Sequence, residues 1–172
     1  MNGQHKRRID IVLADEFTEG LSSLELDMLR DRRDMVEQVE TELSYYRRLL
    51  HGRQDLLDFE MKRRSGEESR SIMEALPEIL SGGEATGGGD YRIRGGFSPD
   101  LPAKGNRPID HVLGDDFLTH LPSLDDKGLT DVEAKLKDAE QGVTAQRNGV
   151  HAVHEVLQAE VTSRYQTDVA SE

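Results

Sequence analysis

The chain has 172 residues, with no cysteine, no tryptophan, 5% aromatic, 35% hydrophobic and 33% charged residues. The absence of cysteine excludes disulfides and thiolate metal sites, and a formal net charge of −12 argues against general DNA or RNA binding. So few apolar residues fit long two-sided helices with a narrow apolar seam better than a thick core.

Residues 1–8 are polar and read as a disordered arm. They are basic, but no apolar run follows them, and no stretch of 18 apolar residues occurs anywhere. The expectation is a cytoplasmic protein without signal peptide or membrane span.

The first repeat covers 9–66. Ile9, Val12, Leu13, Phe17 and Leu21 have helical apolar spacing and predict a short helix, and Ser22 and Ser23 offer an N-cap for a longer one. That second helix carries Leu29, Val36, Leu43, Leu50 and Leu57, an unbroken seven-residue line of coiled-coil a positions. Val39 and Tyr46 occupy d positions, and Arg32 and Arg53 interrupt that line. Gly52 costs about 1 kcal/mol relative to Ala inside a helix, which a close approach of ligand or backbone would justify. Ser65-Gly66 is the stop signal.

Residues 67–80 predict a short amphipathic helix, kinked or restarted at Pro77. Residues 81–108 are rich in glycine and proline and read as a flexible linker.

The second repeat, 109–165, restates the first. Ile109-Asp110, Val112-Leu113, Asp115, Phe117 and Leu121 match Ile9-Asp10, Val12-Leu13, Asp15, Phe17 and Leu21 at an offset of 100. Leu129, Leu136, Val143, Val150 and Leu157 repeat the heptad line, with Val132, Ala139, Gln146 and Val153 at d. Residues 166–172 read as a frayed tail. The expected fold is all-α: an antiparallel two-helix coiled coil built from a tandem-duplicated unit, plus a small helix and the linker.

A polar stripe is duplicated with the seam. Glu40, Ser44, Arg47, His51 and Asp55 recur as Glu140, Thr144, Arg147, His151 and Glu155, spaced four, three, four and four apart. On a helix these positions share an arc of about 80° and span about 22 Å, roughly 60–100° around from the seam. Arginine forks pair with phosphate or with guanine O6 and N7, and a carboxylate accepts the two N–H groups of a guanine edge. A single stripe of this kind is usually a solvated face laced with ion pairs. Its repetition in register, across copies that have otherwise diverged, favours a binding role.

Two other readings stand beside it. One is a ligand-free structural or adaptor coiled coil. The other is a metal site on His151, His154 and Glu155, whose third member is missing in the first copy, where Gln54 replaces His154. No nucleophile–base pair or phosphate loop is visible, so no enzyme is expected.

The run Leu43-Ser44-Tyr45-Tyr46-Arg47-Arg48-Leu49-Leu50-His51-Gly52-Arg53-Gln54-Asp55 resembles the RsiG family of actinobacteria, also called aerial mycelium formation proteins. Its motif is Glu-x3-Ser-x2-Arg-x3-Gln-x3-Asp on both helices of an antiparallel coiled coil. The first copy matches at Glu40, Ser44, Arg47 and Asp55. The second matches at Glu140 and Arg147, with Thr144 and Glu155 as similar replacements, and both copies carry histidine, His51 and His151, in place of Gln. The resemblance extends over most of the chain outside the linker. It implies an anti-sigma factor that binds a dimer of cyclic di-GMP on these motifs and then sequesters a sigma factor of the WhiG, or flagellar, type. It implies no direct nucleic-acid or membrane partner.

Overall fold

A computed structural model of the chain describes residues 7–81, 114 and 116–169. Helix α1 is Arg8–Val12, α2 is Leu26–Ser65, α3 is Ile72–Leu80, α4 is Phe117–His120 and α5 is Asp126–Val169. Short 3-10 turns occupy Asp15–Phe17, Leu21–Ser23 and Leu121–Ser123. Among the described residues there is no strand, so the all-α expectation holds. No described helix is long and apolar enough to cross a membrane.

The chain divides into two compact units. Unit 1 is Met1–Ser44 with Thr144–Glu172, and unit 2 is Tyr45–Val143. Each contains a stretch of α2 and a stretch of α5. In unit 1 the Arg30 guanidinium donates to the Tyr165 hydroxyl, and Glu37 lies 4.0 Å from His154. In unit 2 Gln54 donates to Glu140 and Arg64 to Asp126. As one helix advances the other runs back, so the pairing is antiparallel within each unit.

The heptad a line is the core. Leu29, Val36 and Leu43 are buried in unit 1 with Val150, Leu157 and Val161. Leu50 and Leu57 are buried in unit 2 with Leu129, Leu136 and Val143. A long helix is stable in water chiefly through such a packed stripe. The d line is shallower. Val39 and Tyr46 are buried, whereas Val132, Ala139, Gln146 and Val153 are half-buried.

The arginines that interrupt the d line cover phenylalanines. In unit 1 the Arg32 guanidinium sits 5.2 Å from the centre of the Phe17 ring and donates to the Phe17 carbonyl. In unit 2 Arg53 sits 4.7 Å from the Phe117 ring and donates to the Gly114 carbonyl. In each case the guanidinium lies over an aromatic ring, so a cation at a d position gains a favourable partner.

Several local expectations change. The stretch 9–21 is not one helix but α1 followed by a 3-10 turn, with Val12, Phe17 and Leu21 turned inward. Ser22 and Ser23 do not cap α2. They belong to a 3-10 turn in which the Ser23 hydroxyl donates to the Gly20 carbonyl, and α2 starts three residues beyond Ser23. Asp125 does cap α5, accepting from the Gly128 amide at 2.7 Å.

Helix α3 is a single helix with Pro77 inside it. A reciprocal capping box between Ser71 and Glu74 secures its start. Helix α2 closes as expected at Gly66, whose φ is +85°. The Gly66 amide donates to the Arg63 carbonyl and the Glu67 amide to the Lys62 carbonyl, the paired bonds of a Schellman stop. Helix α5 continues to Val169, into the stretch read as tail, and α1 begins at Arg8 rather than Ile9. The linker after Ser81 and the start of the second repeat, 109–113 with Asp115, lie outside the described residues.

A second duplicated pair ties the helix ends. Glu60 is fully buried in unit 2 and accepts from both Arg63 and Arg64 at 2.8 Å. Arg64 also donates to the Pro122 carbonyl in the turn before α5. In unit 1 Glu160 accepts from Arg164, which donates to the carbonyls of Leu21 and Leu24 in the turn before α2. The offset of 100 between Glu60–Arg64 and Glu160–Arg164 is plain in the sequence. In sequence, such an i, i+4 ion pair looks like any solvated one.

Candidate functional site

The polar stripe is distributed between the units. Unit 2 holds Arg47, His51 and Asp55 on α2 and Glu140 on α5. Unit 1 holds Glu40 and Ser44 on α2 and Thr144, Arg147, His151 and Glu155 on α5. Antiparallel pairing sets an arginine and a histidine of one repeat in the same unit as the motif glutamate of the other.

In unit 2 the structure brings these groups together. Glu140 Oε1 lies 3.0 Å from the His51 ring nitrogen Nε2, and Glu140 Oε2 accepts from the Gln54 amide at 2.9 Å. An ionised carboxylate only accepts, so the imidazole is the donor. Each partner in the histidine pair is about one-third exposed, 33% for His51 and 32% for Glu140. The Gln54 amide, with the His51 ring and the Arg47 charge, holds the Glu140 carboxyl below the usual carboxylate range, against burial that pushes it up. Asp55 is exposed.

In unit 1 the same residue types make different contacts. Among the described residues Glu40 forms no hydrogen bond or ion pair, although it is half-buried. His151 turns to its own helix and lies 3.5 Å from Glu155, with side chains 61% and 70% exposed. His154, at the position of Gln54, faces Glu37 instead. Thr144 is exposed and Ser44 half-buried. His151 and His154 therefore engage different carboxylates, and no cluster of three or more metal-ligating side chains exists among the described residues.

Both motif arginines share one feature. Arg47 and Arg147 each carry a buried Nε with no hydrogen-bond partner among the described residues, as does Arg33 outside the stripe. A buried donor left unsatisfied costs about 1–3 kcal/mol. That cost recurs at the same motif position in both units.

Gly52 has nothing within 4 Å of the place a Cβ would occupy. Among the described residues no backbone approaches it, and none supplies a reason for a glycine there. Gly149 does have one, since a Cβ would come within 2.9 Å of Leu13 Cδ2 in unit 1.

Residues 15–80 match the family model described as RsiG-like. The matched stretch holds α2 and α3. This match over part of the chain suggests an anti-sigma-factor role and so a sigma-factor partner. The match stops at residue 80, so the second repeat, with Thr144 and Glu155 in its stripe, lies beyond it. No curated protein matches the sequence. Sequence reasoning did not find Gln54 as a contributor to this cluster. The signal available was its place one helical turn from His51, on the same side of α2.

Proposed function

We propose that this chain is an anti-sigma factor that binds cyclic di-GMP, as a dimer of the nucleotide, on its paired helical motifs. In that state it sequesters a WhiG-type, flagellar-class sigma factor in the cytoplasm. The observation that carries the reading is the orphaned Nε of Arg47 and of Arg147. A guanidinium donates in two directions to a phosphate or to the acceptor edge of guanine, and nucleotide bound in each unit would satisfy the donor there. The carboxylates Glu40, Glu140, Asp55 and Glu155 are the acceptors for guanine N–H groups. Ser44, Thr144, His51 and His151 complete the polar lining. An acidic chain also suits a sigma factor, whose DNA-contacting surface is basic.

Calorimetric titration with cyclic di-GMP tests the first step, and co-sedimentation with the sigma factor tests the second. Binding at micromolar ligand, lost in Arg47→Ala and in Arg147→Ala, is the expected result. Absence of heat at that concentration sinks the reading. One observation favours a ligand-free adaptor instead: Glu140 already has protein partners in His51 and Gln54. That reading requires unchanged sigma binding in both arginine variants.

A further inference from the structure

We infer that Gln54 is a positioning residue for ligand binding in unit 2, holding the Glu140 carboxylate as an oriented acceptor. The inference deepens the proposed function and rests on it. Gln54 lies outside the five-position stripe, yet its amide makes the shorter of the two bonds to Glu140. Gln54 and His51 take one oxygen each, from the same helix. A carboxylate has about four lone-pair directions, so two remain for a ligand after both bonds form. The two donors fix the plane of the group, and the plane decides whether a pair of N–H donors can be met together. Flexible glutamate otherwise loses rotamer entropy on binding, and an acceptor already held has lost it in advance.

Unit 1 supplies the contrast. Position 154 is histidine and lies 4.0 Å from Glu37, and Glu40 has no side-chain partner among the described residues. In unit 2 the residue corresponding to Glu37 is Lys137, which accepts nothing, so the amide at position 54 has no rival carboxylate there. Gln54 in the first copy and His154 in the second thus give the two motif glutamates different settings.

The test uses the full chain with Gln54→Leu, which keeps the bulk of the side chain and removes the donor. A thermal melt checks folding. Two readouts follow. One is carbon-detected NMR titration of the Glu140 carboxyl without ligand, and the other is calorimetry with cyclic di-GMP. The expected result is a Glu140 carboxyl that titrates at higher pH and an affinity weakened about three- to tenfold. His154→Leu is expected to move neither quantity. An unchanged Glu140 titration in Gln54→Leu overturns the inference whatever the ligand does. Unchanged affinity alongside a wild-type chain that binds overturns it while leaving the proposed function standing. Failure of the wild-type chain to bind overturns the proposed function and the role of Gln54 with it. Restored titration and affinity in Gln54→Asn, whose amide is shorter but still a donor, would support the inference further.

Discussion

In unit 2 the motif glutamate is gripped by two side chains of the facing helix, and in unit 1 its counterpart has no side-chain partner among the described residues. The stripe residues themselves differ little between the copies. What differs is the surrounding set. Glutamine against histidine at 54 and 154, and glutamate against lysine at 37 and 137, redirect the same imidazole and carboxylate chemistry. Helix-end ties show the same pattern. Glu60 is fully buried and shared by two arginines, whereas Glu160 is 26% exposed and served by Arg164, with Ser163 where the first copy has Arg63. Duplication preserves the framework of each unit, and neighbours one turn away decide how each group is used.

The comparison is sharpest where the copies should behave alike. Leu57 in unit 2 and Leu157 in unit 1 are both buried on the heptad line. Truncation of either to alanine is expected to cost about 2–5 kcal/mol in urea denaturation, because the removed methyl groups leave a cavity. A much smaller cost at one of them would mean that the seam is not equally packed in the two units.

The helix-end ties should then separate. Arg64→Ala leaves fully buried Glu60 with Arg63 alone and is expected to cost about 2–3 kcal/mol. Arg164→Ala strips the carbonyls of Leu21 and Leu24 in a more open setting and is expected to cost about 1–2 kcal/mol. Reversal of that order in paired denaturation curves would break the ranking of the two ends.

The glycines give a smaller contrast. Gly52→Ala meets open space and is expected to stabilise by about 0.5–1 kcal/mol. Gly149→Ala meets the far end of the Leu13 side chain, which must move, so its gain in melting temperature should be smaller. Loss of cyclic di-GMP binding in a stabilised Gly52→Ala chain would show that ligand approaches the helix there.

The smallest effect is acid sensitivity. Glu140 titrates below its unfolded value, so the stability it contributes is full above the ordinary carboxylate range. That contribution is lost as pH falls through the lowered folded value. With both partners about one-third exposed, solvent screening limits it to roughly 0.5 kcal/mol. Denaturation curves of Glu140→Gln should show a flatter acid limb than those of the parent chain.

The sequence by itself determined the helical class, the tandem repeat, the buried a line and the stop at Gly66. Those follow from periodicity and from one residue's freedom at positive φ, which are local properties of the chain. It also marked the two arginines and the motif glutamates, through nothing more than repetition at an offset of 100. Tertiary structure alone decided that Arg32 and Arg53 cover phenylalanines rather than spoil the seam, since the rings they stack on lie on other elements. It likewise decided that Ser23 closes a turn, and that His51 and Gln54 reach Glu140, 89 and 86 residues away in the chain, while His151 stays with Glu155. A side chain's partner across an antiparallel pair depends on which groups the facing helix offers at that level. Periodicity says which face a residue occupies, not what stands opposite it.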